Sequence, residues 1–173
     1  MWCSSVLQTP RLTLRPFAEN EDDVAMMHRI LSDPIAMRFY PRPFDREMTR
    51  TWINRWRASY DETGFGMLAI EDRTTGEVIG DCGPSIQFVD GERFVELGWH
   101  VRADRQRQGI ATEAGAACRD HLFATSDLGF LISLIRPENV PSWRVASTLG
   151  FRPWRGTVRA GMGHLVWRLD RPG

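Results

Sequence analysis

The segment Val101–Ala114 contains the residues whose types and order most directly suggest chemistry. A strand-like stretch runs into a polar loop, and Gly109 and Ala111 open the helical pattern that follows. Gly109 can adopt backbone conformations closed to other residues, and Ala111 adds little bulk, so successive N–H groups can converge on an anion at the positive end of a helix. The segment therefore predicts a pyrophosphate-binding loop, with an ordinary strand-to-helix loop as the alternative.

A second motif follows further along the chain, with the order Asn-x-x-Ser-x-Arg and a later Gly-Phe pair. Its residues are Asn139, Ser142, Arg144, Gly150 and Phe151. In combination with the phosphate loop, this motif resembles the signature of the GNAT acetyltransferases. The segments 9–17 and 96–99 are similar to the RimJ/RimL-like branch of that family, which contains ribosomal-protein N-terminal acetyltransferases.

The resemblance implies acetyl-CoA as cosubstrate and no metal. In this family two parallel neighbouring strands splay apart, and the pantetheine arm of acetyl-CoA pairs with their exposed backbone edges. Here those strands would be Arg93–Val101 and Leu128–Ile135. The cofactor contacts implied in this way are Trp99, His100, Val101, Gln106, Arg107, Gln108, Gly109, Ile110, Ala111, Thr112 and Asn139. Asn139 has a second interpretation, as the local cap of the helix that follows it.

Acetyl transfer to an amine requires a base that frees the nitrogen lone pair and donors that stabilise the tetrahedral oxyanion. Glu96 is the candidate base, since many GNAT enzymes carry a Glu at this position. Its burial among Phe94, Leu97 and Trp99 would raise its pKa, and a solvated carboxylate is the alternative. A backbone N–H near Trp99–Val101 is expected to hold the oxyanion.

The departing CoA thiolate also needs a proton. Many GNAT enzymes use a Tyr on the C-terminal strands for this step, but the only two tyrosines of this chain, Tyr40 and Tyr60, lie elsewhere. Ser142 is the second candidate catalytic residue, with helix capping as the alternative. His100 and His164 could act as acid or base near neutral pH, although a lone His is more often a packed or surface residue.

The acceptor is expected on the side opposite CoA, between the segments Asp33–Phe44 and Arg155–Gly163. These segments contain Arg38, Tyr40, Arg42, Arg155 and Arg159. The arginines could bind the carboxylate of an amino acid or an acidic peptide N-terminus, with solvated loop charges as the alternative. The acceptor class therefore stays open between a protein N-terminus and a small-molecule amine.

The spacing of apolar residues predicts the elements that position these groups. Strands are expected at 9–17, 65–71, 77–88, 93–101, 128–135, 151–158 and 163–169, and helices at 21–31, 45–60, 112–126 and 141–149. A strand, the phosphate loop, a helix and another strand in succession imply a parallel crossover. The prediction is an α+β fold, a mixed sheet with helices on both faces, in one domain over residues 1–173.

The composition argues against several classes of binding partner. The chain has 22 basic and 22 acidic residues, so no net field attracts nucleic acid or an anionic membrane. No apolar run approaches the roughly 20 residues of a membrane helix, and the first residues lack signal-peptide features, so the cytoplasm is the expected location. Cys3, Cys82 and Cys118 lack CxxC spacing and a nearby His cluster, which predicts reduced thiols.

Three function classes are compatible with these features. The first is an N-acetyltransferase that acts on a primary amine by direct attack in a ternary complex. The second is an acyl-CoA-binding regulatory protein with weak turnover, motivated by the missing C-terminal Tyr. The third is an oligomer-forming scaffold whose loop binds nothing. A homodimer is left open as a partner arrangement of the acetyltransferase.

Overall fold

The computed structural model describes residues 6–173, so Cys3 lies outside the described residues. The strands are β1 Leu7–Gln8, β2 Leu12–Arg15, β3 Leu68–Asp72, β4 Val78–Val89, β5 Glu92–Val101, β6 Phe130–Ile135, β7 Arg152–Arg159 and β8 Met162–Asp170. The helices are α1 Glu21–Leu31, α2 Arg46–Thr63, α3 Ile110–Thr125 and α4 Val140–Thr148, and a short 3₁₀ turn at Ala103–Arg105 precedes α3.

These strands form a mixed sheet in the order β1-β2-β3-β4-β5-β6-β8-β7. β5 and β6 are parallel and are joined through α3, whereas the other neighbouring strands are antiparallel. Successive side chains of a strand point to opposite faces. On β4, Asp81 contacts Trp52 of α2, and Cys82 faces Cys118 of α3. Helices therefore cover both faces, and the expected α+β fold with a parallel crossover is confirmed.

Capping residues explain where the helices begin and end. The side chain of Asn20 accepts the N–H of Asp23 at the start of α1, and the helix has the predicted bounds. Asp45 caps α2 in the same way, and α2 ends at Gly64 in the left-handed conformation, with φ of +72°. α2 extends to Thr63, beyond the predicted end at residue 60. The prediction ended too early because the last residues of the helix are polar and carry no apolar periodicity.

The main apolar core lies between the sheet and the helices. It includes fully buried Leu12, Met27, Leu68 and Leu97, which come from strands and from a helix that are distant in the sequence. Cys82 and Cys118 are free and buried in the same core. Among residues 6–173, no helix is long and apolar enough to cross a membrane.

Candidate functional site

The site begins where β5 and β6 separate. Over the described part of the chain, these two strands pair at one register position, Glu96 with Ile132. β5 is paired with β4 along its other edge from end to end. Backbone N–H and C=O groups on the open edge of β5 beyond Glu96 are therefore available to an extended ligand, as they would be to another strand.

A cavity of about 620 Å³ lies beside this open edge. Eleven of the thirteen residues predicted to be catalytic or to contact the cofactor line it, namely Trp99, His100, Val101, Gln106, Arg107, Gly109, Ile110, Ala111, Thr112, Asn139 and Ser142. The structure thus brings the phosphate loop, the end of β5 and the start of α4 to one place. Glu96 and Gln108 do not belong to the cavity lining.

The loop before α3 has the backbone shape of an anion site. Arg107 and Gly109 both have left-handed backbones, with φ of +62° and +78°. A non-glycine residue in this conformation costs about 1–3 kcal/mol, and such residues are enriched at functional sites. Gly109 is the N-cap of α3 and supplies no side-chain cap. The first N–H groups of α3 therefore have no intrahelical partner and can donate to a phosphate.

Long-range hydrogen bonds hold this loop in place. The guanidinium of Arg11 donates to Oε2 of Glu113 at 2.6 Å and to the carbonyl oxygen of Gln108 at 2.9 Å. The side chain of Gln106 donates to the carbonyl oxygen of Val101 at 3.0 Å. Gln108 therefore contributes to the loop's anchorage. Arg11 was not among the predicted site residues, because nothing local in the sequence connects it to the loop.

The start of α4 confirms the capping interpretation of Asn139. Its Oδ1 accepts the N–H of Ser142 at 3.2 Å, and Pro141 occupies the first turn of the helix. Both Asn139 and Ser142 also line the cavity, so the cap does not remove Asn139 from reach of a ligand. A contact between either side chain and acetyl-CoA stays a prediction.

Glu96 lies at the point where the two parallel strands separate. Its Oε1 accepts the N–H of Leu134 on β6 at 3.1 Å, and its Oε2 accepts the hydroxyl of Ser85 at 3.3 Å. Burial raises the pKa of Glu96, while the hydrogen bonds from Leu134 and Ser85 and the charge of Arg159 oppose the shift, and the net pKa is raised. Glu96 is therefore a buried carboxylate that links β5 to β6 at the position where the two strands separate.

The expected surroundings of Glu96 need a correction. β4 and β5 pair in continuous register, so the side chains of β5 alternate strictly between the two faces. Phe94 and His100 share the face of Glu96, whereas Leu97 and Trp99 point to the opposite face. The prediction that Glu96 is buried among Leu97 and Trp99 was wrong because it used proximity in sequence and ignored this alternation.

A chain of hydrogen-bonding groups reaches the cavity on the face that Glu96 also occupies. Tyr40 Oη and His100 Nε2 are 2.6 Å apart, and His100 Nδ1 and Asp81 Oδ1 are 2.6 Å apart. The other carboxylate oxygen of Asp81 accepts the indole N–H of Trp52 at 3.1 Å. Tyr40 and His100 line the cavity, and the side chain of Asp81 is fully buried behind them.

The negative charges around this chain shift two pKa values upward. Burial alone would lower the pKa of His100, but the charge and hydrogen bond of Asp81 and the charge of Glu96 outweigh it, and the net pKa is raised. Burial of the hydroxyl, followed by the charges of Asp81 and Glu96, raises the pKa of Tyr40. Tyr40 is 39% exposed as a whole.

Sequence reasoning did not identify Asp81 or the role of Tyr40 in this group. Asp81 carried a usable signal, because it is a charged residue inside an otherwise apolar strand pattern. Tyr40 carried none, since it lies in the loop between α1 and α2. That loop is anchored by buried Met37, whose carbonyl oxygen accepts the N–H of Tyr40 at 2.9 Å. The observation that no tyrosine lies on the C-terminal strands was correct, but the fold brings Tyr40 to the cavity from elsewhere.

The predicted acceptor residues are dispersed. Arg38 and Tyr40 line the cavity, whereas Arg155 is held by Glu92 at 3.2 Å and packs over the ring of Trp154. Arg42 and Arg159 do not belong to the cavity lining. His164 Nδ1 donates a hydrogen bond to the carbonyl oxygen of Met162 in the same hairpin, at 3.0 Å. His164 does not line the cavity either.

Comparison with known proteins places this geometry among acyltransferases. The model of the acetyltransferase (GNAT) domain matches residues 11–152. The protein YkkB of Bacillus subtilis (strain 168) is 34% identical over 155 residues, which are 88% of this chain and 88% of the relative. The structure of an acetyltransferase from Agrobacterium tumefaciens strain C58 is 31% identical, with a TM-score of 0.82, and the match covers 96% of this chain and 94% of that one.

A further solved relative contains a ligand of the expected class. RimJ of Mycobacterium smegmatis, determined in complex with CoA-disulfide, is 26% identical, with a TM-score of 0.69. The match covers 92% of this chain and 81% of that one.

Proposed function

Because the chain belongs to the GNAT acetyltransferase family, we propose that it transfers the acetyl group of acetyl-CoA to a primary amine by direct attack in a ternary complex. One observation carries the proposal. The cavity is lined both by the open end of β5 and by the left-handed loop before α3. An extended amide-bearing arm needs an open strand edge, and a pyrophosphate needs a cluster of backbone N–H groups.

The residues present fit acetyl-CoA. Backbone groups of Trp99–Val101 are proposed to pair with the pantetheine amides, and the N–H groups from Gln106 to Thr112 are proposed to bind the pyrophosphate. Recognition by main-chain groups places little demand on the side chains of the loop. Acetyl-CoA supplies the activated thioester, and the protein supplies orientation and a donor for the oxyanion from the open edge of β5.

Glu96 remains the proposed base. Its raised pKa brings it nearer to the range in which a carboxylate can accept a proton from an ammonium group. Since it does not line the cavity, we propose that it acts on the amine through a bound water. Glu96 lies at the fork, the point where β5 and β6 separate, and its bond to Leu134 holds the two strands together there. A change of Glu96 therefore affects the position of the ligand between the strands as well as proton transfer.

The acceptor is proposed to enter beside the loop that carries Arg38 and Tyr40. This loop lies at the cavity, and Arg38 offers a charged contact for a carboxylate near the reacting amine. A peptide N-terminus and a small amino-acid-like amine both have that chemistry. A protein N-terminal acceptor is supported by the resemblance of segments 9–17 and 96–99 to the branch that contains ribosomal-protein N-terminal acetyltransferases. A small amine is the other candidate.

The test is an acceptor panel with release of free CoA thiol as the readout. Peptides with a free N-terminus are compared with the same peptides blocked at the N-terminus, and with small amines that carry or lack a carboxylate. Turnover restricted to free amines supports the proposal. Micromolar binding of acetyl-CoA without turnover on any amine would instead indicate an acyl-CoA-binding regulatory protein, and absence of binding would contradict both readings.

A further inference from the structure

The hydrogen-bonded chain of Tyr40, His100 and Asp81 is not explained by cofactor binding. A buried carboxylate, an 8% exposed imidazole and a phenol that lines the cavity are arranged in series, with 2.6 Å at each step. Three separate parts of the chain contribute them: β4, β5 and the loop between α1 and α2. Burial of a carboxylate without a cation is expensive, so the arrangement needs His100 as its partner.

The order of the groups fixes the direction of the hydrogen bonds. Asp81 accepts at both oxygens, from His100 Nδ1 and from the indole of Trp52, so His100 Nδ1 carries a proton. When His100 is charged, its Nε2 also carries a proton and donates to the oxygen of Tyr40. Tyr40 is then the acceptor in that bond, and its own O–H is free to donate into the cavity.

We propose that Tyr40 donates the proton that the departing CoA sulfur requires and that His100 resupplies Tyr40, with Asp81 as the positioning residue. The inference rests on the proposed acetyl transfer and assigns its acid step, for which the sequence offered Ser142. The group that must be protonated is the sulfur atom at the reacting end of acetyl-CoA, and Tyr40 and His100 are titratable side chains of the cavity next to Trp99.

The proton and electron balance is complete without another reactant. As the tetrahedral intermediate collapses, the C–S bond breaks and its electron pair goes to sulfur. Sulfur takes the proton of the Tyr40 hydroxyl, and the phenolate oxygen takes the proton of His100 Nε2. The neutral imidazole regains a proton from solvent. The two protons that the ammonium nitrogen loses leave through Glu96 and water, so one proton is released per turnover.

The charges favour an acid over a base at this position. Asp81 and Glu96 both raise the pKa of His100, which favours its protonated, donating form, and both raise the pKa of Tyr40, which favours the phenol. Glu96 lies four residues before His100 on the same face of β5, about 13 Å along the strand, and the intervening residue on that face is Gly98. A base and an acid thus flank a stretch of strand without a side chain.

The first experiment compares Tyr40→Phe with Tyr60→Phe. Tyr40→Phe keeps the ring that packs against His100, with centroids 5.1 Å apart, and removes only the hydroxyl. We expect kcat to fall about 10²-fold with the KM for acetyl-CoA within about twofold of wild type. Tyr60 is the matched control, because its hydroxyl bonds the backbone of Phe17 and Met67 away from the cavity. An unchanged kcat in Tyr40→Phe overturns the inference.

A binding measurement tests, without turnover, whether the hydroxyl of Tyr40 contacts the sulfur of CoA. CoA and desulfo-CoA differ in the thiol alone, so a hydroxyl that contacts the sulfur affects only the first. We expect Tyr40→Phe to weaken CoA binding by about three- to tenfold and to leave desulfo-CoA binding unchanged in calorimetry. Equal effects on both ligands, or none, overturn the inference. A wild-type chain that binds neither ligand contradicts the proposed function itself and the inference with it.

The pH profile separates proton supply from a structural role of His100. The charged and titratable groups that face His100 are Asp81 on β4, Tyr40 on the α1–α2 loop and Glu96 on β5. Because only the protonated imidazole can resupply Tyr40, kcat is expected to fall as pH rises through the raised pKa of His100. His100→Gln keeps an N–H donor but does not titrate, so this descending limb should disappear. An identical limb in His100→Gln would assign His100 to packing.

Discussion

At the residue scale, Glu96 both links two strands of the sheet and is the proposed base. Its Oε1 accepts a backbone N–H of β6 at the last point where β5 and β6 pair. Burial raises its pKa, which means that folding disfavours its charged form relative to the unfolded chain. A carboxylate retained under that penalty is typical of a functional group, since a neutral Gln could make the same bond to Leu134.

Glu96→Gln is therefore expected to lose activity and gain stability. A raised carboxyl pKa contributes stability below the unfolded pKa that is lost as pH rises through the folded value, so removing the charge should increase the melting temperature near pH 7. We expect kcat to fall about 10²-fold with acetyl-CoA affinity retained. Thermal melts and steady-state kinetics check both effects.

The control for Glu96→Gln is Glu92→Gln on the same strand. Glu92 is exposed and binds Arg155, so its neutralisation should change neither the melting temperature nor kcat appreciably. A Glu96→Gln variant that is stabilised and still fully active would remove the carboxylate from proton transfer.

At the element scale, the loop and the start of α3 act together. The left-handed backbones of Arg107 and Gly109 and the unpaired N–H groups of the first turn form one concave donor surface. The bond from Arg11 to Gln108 and the pairing of Arg11 with Glu113 tie that surface to the start of β2. The phosphate binding proposed for this element depends on backbone shape, so substitutions that change the shape or add negative charge should weaken it most.

Gly109→Glu is expected to abolish acetyl-CoA binding. The substitution places a negative charge in the donor surface and requires a side chain at φ of +78°. Calorimetry of acetyl-CoA binding measures the loss. Gly109→Ala separates the contributions, because it carries the same backbone strain without the charge and should weaken binding less. Gly64→Glu places the same side chain at φ of +72° at the end of α2 and should leave binding intact. Full affinity in Gly109→Glu would refute the loop assignment.

The cap of α4 allows a test of what Asn139 does beyond capping. Asn139→Ser retains an N-cap acceptor for the N–H of Ser142, whereas Asn139→Ala removes it and should cost about 1 kcal/mol of unfolding free energy. If Asn139 also contacts acetyl-CoA, Asn139→Ser should keep wild-type stability and lose affinity. Denaturant unfolding and calorimetry on the pair decide the question, and equal affinity in Asn139→Ser and wild type leaves the cap as its role.

At the scale of the whole molecule, the separation of β5 and β6 divides the sheet into two parts, and the proposed ligand would lie between them. β1 to β5 lie on one side of the fork and β6 to β8 on the other, and α3 crosses between them. An extended ligand that pairs with the open edge of β5 adds contacts that the free chain lacks. Ligand binding should therefore stabilise the folded molecule by mass action.

Acetyl-CoA at about 100 times its Kd is expected to stabilise the fold by about 2.7 kcal/mol. For a chain of this size that corresponds to a rise in melting temperature of about 5–10 °C. Thermal unfolding with and without acetyl-CoA measures the shift. ATP, which has phosphates but no pantetheine arm, should give a smaller shift, and equal shifts would contradict the role of the open β5 edge.

Local sequence patterns were sufficient to predict most helices and strands and much of the cavity lining. The bounds of α1 follow from its cap and apolar spacing, and the motifs at 106–112 and 139–151 identified most of the cavity lining. These features depend on residues a few positions apart, whose hydrogen bonds and periodicity are visible in one stretch of sequence. The ends of α2 and β3 were less accurate, because polar helix ends and short strands carry little periodicity.

Only the tertiary structure decided which groups meet. Tyr40 and His100 are 60 positions apart, and Asp81 reaches His100 through the register of β4 and β5. The face on which Glu96 lies also follows from that register, since a shift of one residue would move every side chain of the strand to the other face. The proton-transfer groups are assembled by long-range packing, and such contacts leave no mark in the local order of residues.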